Sequence, residues 1–81
     1  MNNDKQQEES VKMEAVLRSS NVAATGYVEA SGMMIVDYFS GGRYRWKGIP
    51  ACEYAAMRAA PSVGKYLRVL AEKYGKGTRI G

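Results

Sequence analysis

Two groups of cations in this 81-residue sequence have types and spacings suited to holding an anion. The first is Arg43-Tyr44-Arg45-Trp46-Lys47. Successive side chains of a strand point to opposite faces, so Arg43, Arg45 and Lys47 share one face and Tyr44 and Trp46 the other. Such a face contacts phosphates by releasing counterions, and that binding weakens steeply with salt. The same pattern also suits a solvated sheet face, with Asp37 neutralising Arg45 across a strand pair. The second group is Ser62-Val63-Gly64-Lys65 with Arg68. A helix starting here offers free backbone amides to a phosphate, and Lys65, Arg68, Lys73, Lys76 and Arg79 extend the site into a basic rim. The simpler alternative is capping by Ser62, with Gly64 small because the sheet approaches closely.

Other chemistry has little support. The chain has no histidine and a single cysteine, Cys52, which argues against a zinc site or an internal disulfide. No nucleophile stands beside a candidate base, and no carboxylate pair has a catalytic spacing. A binding protein without catalytic activity, metal or cofactor is expected. Glu53 and Glu72 read as surface charges on helices. The formal net charge is +4. From Val16 onward ten Lys or Arg face four Asp or Glu, a net +6, while the first fifteen residues carry −2. A basic folded part draws anionic partners by long-range attraction. No stretch resembles a signal peptide or a membrane span, so the default placement is cytoplasmic, in a bacterium or a phage-infected host, with no membrane partner.

The elements that position these groups follow from periodicity and turn residues. Residues 1–13, polar and poor in apolar side chains, read as a disordered or loosely attached tail; residues 14–81 read as one domain. Strands are expected at about 15–19, 22–30, 33–39 and 43–47. Gly26 inside the second marks a bulge or a close backbone approach. A three-residue loop at Ser40-Gly41-Gly42 sets Tyr38 opposite Tyr44, Asp37 opposite Arg45 and Val36 opposite Trp46. Met34, Val36, Tyr38, Tyr44 and Trp46 then form one apolar face, and Tyr44 and Trp46 read as core rather than as stacking platforms. Phe39 and Tyr27 are the better candidates for stacking on a ligand. Pro50 opens a helix over 51–60, Pro61 ends it, and Ser62 caps a second helix running to about Tyr74. Val63, Tyr66, Leu67, Leu70 and Tyr74 recur at helical spacing on its buried side. Gly75 to Gly81 forms a short basic tail. The fold class is α+β: a small antiparallel sheet of three to four strands, with two C-terminal helices on its apolar face and a mostly aromatic core. On the outer face Met33, Ile35 and Phe39 form an apolar patch, read as a homo-oligomer contact or as a surface covered by one of the chain ends.

Several of these residues fall in a familiar pattern. Leu17-Arg18-Ser19-Ser20-Asn21, Gly26-Tyr27, Tyr44-Arg45-Trp46 followed by Gly48-Ile49-Pro50, and Ser62-Val63-Gly64-Lys65-Tyr66 resemble the KTSC domain. That small domain occurs at the C-terminus of some lysyl-tRNA synthetases and as a stand-alone protein in bacteria and phages. Trp46 stands where the family usually has tyrosine. The resemblance implies the fold and suggests RNA as a partner through the synthetase attachment, although fold alone does not fix function.

The leading expectation is a non-enzymatic module that recognises a phosphate-bearing partner, foremost RNA, through Arg43, Arg45, Lys47, Ser62, Gly64, Lys65 and Arg68. One alternative is a small oligomeric phage-type protein sequestering a nucleotide-like ligand or signalling nucleotide between subunits. Another is a protein-interaction module whose Met33, Ile35 and Phe39 patch meets a host or virion protein.

Overall fold

The computed structural model describes residues 11–17 and 19–81. Five strands form one antiparallel sheet in sequence order: β1 (Glu14–Ala15), β2 (Val22–Val28), β3 (Met33–Tyr38), β4 (Arg43–Trp46) and β5 (Thr78–Arg79). Helices α1 (Ala51–Ala59) and α2 (Val63–Tyr74) follow β4 and pack on one face. The α+β class is as expected. The sheet is wider, because the basic tail supplies a fifth strand: Arg79 pairs with Tyr44 and Thr78 with Arg45.

The central hairpin keeps the expected parity with a shifted register. Met34 pairs with Trp46, Ile35 with Arg45, Val36 with Tyr44 and Asp37 with Arg43. The loop is Phe39-Ser40-Gly41, one residue earlier than the glycine pair suggests. Tyr38 donates its N–H to the Gly42 carbonyl, and Gly41, at φ 91°, takes the left-handed position. Moving the loop by one residue moves the register by two, so no side chain changes face. Trp46 is buried against the helical layer and Arg45 is not beneath it.

The core is aliphatic and methionine-rich rather than mostly aromatic. Val22, Met34, Val36, Ile49, Met57 and Leu70 are fully buried, with Trp46 as the single large ring; the tyrosines pack around them half-exposed. The irregularity in β2 lies between Val22 and Ala24, not at Gly26. Its extra residue resets the alternation, so Val22 and Thr25 both point inward.

Gly26 marks a close approach instead. A Cβ there would lie 2.5 Å from Val11 Cγ1 and 2.9 Å from the Lys12 carbonyl oxygen. Residues 11–13 thus cross the outer face beside Ile35, the cross-strand partner of Gly26. Met33 and Ile35 are only 3% and 0% exposed, which removes them as an open apolar patch; Phe39 alone of that trio is exposed, at 63%. Residues 1–10 and Arg18 lie outside the described residues.

At the other edge, Gly77 lies against the indole of Trp46: a Cβ there would meet three ring carbons at 2.8–2.9 Å. The indole N–H donates to the Gly75 carbonyl at 2.8 Å. The chain after α2 is therefore strapped over Trp46 before it joins the sheet as β5.

Candidate nucleic-acid interface

The two cation groups occupy different layers. Arg43 and Arg45 lie on the outer side of the sheet, away from the helices, and Lys47 follows, exposed, just beyond the end of β4. There Asp37 engages Arg43, not Arg45, in a two-point pair: Nε to Oδ1 at 2.6 Å and Nη2 to Oδ2 at 2.9 Å. That hydrogen bond is the main cause holding the Arg43 guanidinium above its ordinary pKa.

The second group forms a concave site. Ser62 caps α2, its Oγ accepting from the Lys65 N–H at 3.3 Å, because its extended backbone leaves the first-turn amides without helical partners. Ser62, Gly64, Lys65 and Arg68 form one wall of a pocket of about 300 Å³, and Ser19, Ser20 and Asn21 form the other. Ser19 Oγ accepts from the N–H groups of Asn21 and Val22, which fixes the turn that builds this second wall. A Cβ at Gly64 would sit 3.7 Å from the Asn21 side-chain nitrogen, an ordinary contact. Lys73, Lys76 and Arg79 do not line this pocket. The expected basic rim reduces to Lys65 and Arg68.

Lys73 is engaged elsewhere. Its Nζ lies 2.7 Å from Glu53 Oε2, and Glu53 also accepts from Tyr66 Oη at 2.7 Å and Tyr74 Oη at 3.4 Å. Glu53 is thus a clamp between α1 and α2 rather than a plain surface charge. Hydrogen bonding, first from Lys73 and then from Tyr66, holds its carboxyl below the ordinary range. The bond to Glu53 holds both Lys73 and Tyr66 above theirs. No local sequence signal announces this contact, since its members are 13 to 21 residues apart. A similar link joins Arg58 to Thr25 Oγ1 at 3.1 Å and to the carbonyls of Glu14 and Ala15, tying α1 to the first strand.

A third feature lies at the hairpin end of the inner face. Tyr38, Tyr44 and Trp46 line an open cavity of about 400 Å³ with Ser40, Lys76 and Gly77. Tyr44 is therefore only partly a core residue. Tyr27, one of the expected stacking candidates, is committed to the fold: it stacks on Tyr54 with centroids 4.6 Å apart, and its hydroxyl donates to the Ile49 carbonyl. Among the described residues no group of three His, Cys, Asp or Glu could hold a metal, and no helix is long and apolar enough to cross a membrane. Cys52 is exposed.

The KTSC domain family profile matches residues 18–73. The chain belongs to the KTSC domain family. The crystal structure of a KTSC domain protein from Yersinia pestis superposes with a TM-score of 0.79 at 21% identity, covering 89% of this chain and all of that one. At that identity the match speaks for the fold. No curated protein matches the chain. Two of the KTSC segments, Ser19-Ser20-Asn21 and Ser62-Val63-Gly64-Lys65, meet in the pocket at the start of α2. Trp46, in the Tyr44-Arg45-Trp46 segment, is the residue that Gly75 and Gly77 strap.

Proposed function

We propose that this KTSC protein is a non-enzymatic binding module for a phosphate-bearing partner, with RNA the leading candidate. In this reading a backbone phosphate sits in the pocket at the start of α2, held by the Ser62 and Gly64 backbone and the charges of Lys65 and Arg68. The observation that carries the reading is the convergence of two segments some forty residues apart on a polar cavity with two cations in its wall. A cap alone requires only Ser62. The outer hairpin face, Arg43, Arg45 and Lys47, adds long-range attraction from a second direction.

Filter binding of a single-stranded RNA to the full chain across a salt series tests this. Affinity should fall linearly on a logarithmic salt scale, with a slope of about −0.7 per phosphate neutralised on a single strand. No affinity at low salt, or affinity indifferent to salt, counts against it. The competing reading, a nucleotide-like ligand captured between subunits, predicts instead a saturable mononucleotide isotherm and a discrete oligomer by light scattering. Its apolar interface has lost Met33 and Ile35 to the interior.

A further inference from the structure

The aromatic cavity differs from the other aromatic contact of this protein. Tyr27 and Tyr54 stack nearly parallel, at 11°, and both hydroxyls are taken, by the Ile49 carbonyl and by Thr25 Oγ1. That pair is closed on itself. Tyr38 and Tyr44 instead meet edge to face at 83°, with centroids 5.5 Å apart, and Tyr44 and Trp46 are tilted by 42° at 6.5 Å. Tyr38 and Tyr44 are thus in edge-to-face contact, and the cavity opens beside the three rings rather than between them. Among the described residues no hydrogen bond engages the Tyr38 or Tyr44 hydroxyl, and no buried side-chain polar atom lacks a partner, so neither hydroxyl is sealed from solvent, although burial pushes the Tyr38 hydroxyl above its ordinary pKa. The cavity falls within the usual volume range of ligand sites, about 300–1,000 Å³. One wall is cationic through Lys76.

Shared lining residues relate this cavity to the pocket at the start of α2. A smaller hollow of about 230 Å³ lies between them under the exposed ring of Phe39. It shares Tyr38 and Ser40 with the aromatic cavity, and Ser20 and Asn21 with the pocket at the start of α2. Aromatic walls, a bridging hollow and a cationic polar pocket thus follow one another along the seam between the hairpin tip and α2.

From this juxtaposition we infer that the seam is a track for single-stranded nucleic acid, in which an unpaired base enters the cavity against the Tyr38, Tyr44 and Trp46 rings while a neighbouring phosphate occupies the Ser62–Lys65–Arg68 pocket. The inference rests on the proposed function and adds the base site. Ring faces hold bases by stacking with little regard to sequence, and the two phenol hydroxyls and Lys76 supply polar contacts at the base edge. A duplex hides its bases in the stack and cannot use the cavity.

The test compares three probes on the full chain: an oligouridine, an abasic sugar–phosphate strand of equal length, and a duplex RNA. Trp46 is the sole tryptophan and lines the cavity, so its fluorescence reports base insertion. Oligouridine should change the emission and bind at least about ten-fold more tightly than the abasic strand, which is the scale of one stacked base. The duplex should bind no better than the abasic strand. Tyr44→Leu should remove the preference for bases. Ala71→Leu fills the cavity from the α2 side without altering the sheet and should do the same, so the result does not depend on whether the tyrosine variant folds. Equal, salt-sensitive binding of oligouridine and abasic strand with unmoved Trp46 emission overturns the base site alone. Absence of salt-sensitive binding to every strand overturns the phosphate reading with it.

Discussion

The outer face of the central hairpin and the seam beside α2 carry the same charge in opposite geometries. On the outer face Arg43 and Arg45 project from β4 and Lys47 follows it, with the Asp37 carboxylate paired to Arg43. In the seam, two cations stand in the wall of a cavity at the capped start of α2. Charge spread over a sheet face attracts without fixing position. A concave site can fix a phosphate, because fewer degrees of freedom are lost for each contact made. If this distinction holds, charge count and binding should come apart.

The largest effect should come from Lys65→Gln combined with Arg68→Gln. Each lost charged contact is worth about 1.5–3 kcal/mol, so the pair should weaken RNA binding about 100-fold or more. It should also flatten the salt slope by about 1.4. The triple change Arg43→Gln, Arg45→Gln, Lys47→Gln removes more charge and should cost less affinity. The reverse order, measured by filter binding, would break the comparison.

Next in size is Gly77→Val. Its Cβ would collide with the rigid indole of Trp46, so the strap carrying β5 must shift. A loss of about 1–3 kcal/mol is expected. At roughly 4–8 °C per kcal/mol for a domain of this size, the melting temperature should fall measurably, and Trp46 emission should move to the red. An unmoved spectrum would mean that the strap does not seal the ring.

Asp37→Asn sharpens the contrast from the other side. This partly exposed pair should contribute about 0.2–1 kcal/mol to stability. Releasing Arg43 from its carboxylate should raise RNA affinity slightly at low salt, with no change at high salt. Calorimetry and the salt series together check both.

The Glu53 clamp sets how α2 sits on α1, and its contribution is read through pH. The Glu53 carboxyl is depressed in the fold, so its stabilisation is present above the unfolded carboxylate pKa and lost as pH falls through the folded value. Lys73 and Tyr66 are raised, so theirs is present below their unfolded values and lost as pH rises through the folded ones. Glu53→Gln should therefore flatten the melting temperature against pH at both ends. A profile identical to that of the parent chain would remove the clamp.

Strand parity, both helices and the Ser62 cap were legible from residue order, because alternation, proline placement and a hydroxyl before an apolar helical stripe are local signals. Register was not, since Phe39 reads as a strand residue while the turn requires it in the loop. Gly26 announced a close approach but could not say that residues 11–13 make it, which is why Met33 and Ile35 read as an exposed patch. β5 has only two residues among glycines and carries no periodicity to detect. The Glu53 clamp and the aromatic cavity depend on how the helical layer is laid over the sheet. Tyr44 has the parity of a core residue, yet it lines an open cavity at the hairpin end.

Amide chemical shifts of the labelled full chain, followed during titration with a short single-stranded RNA, test the placement of the phosphate most directly. The largest movements should fall on Gly64, Lys65 and Ser62, with Ser20 and Asn21 following across the pocket. Movements confined to Arg43, Arg45 and Lys47, with the start of α2 unmoved, would contradict it.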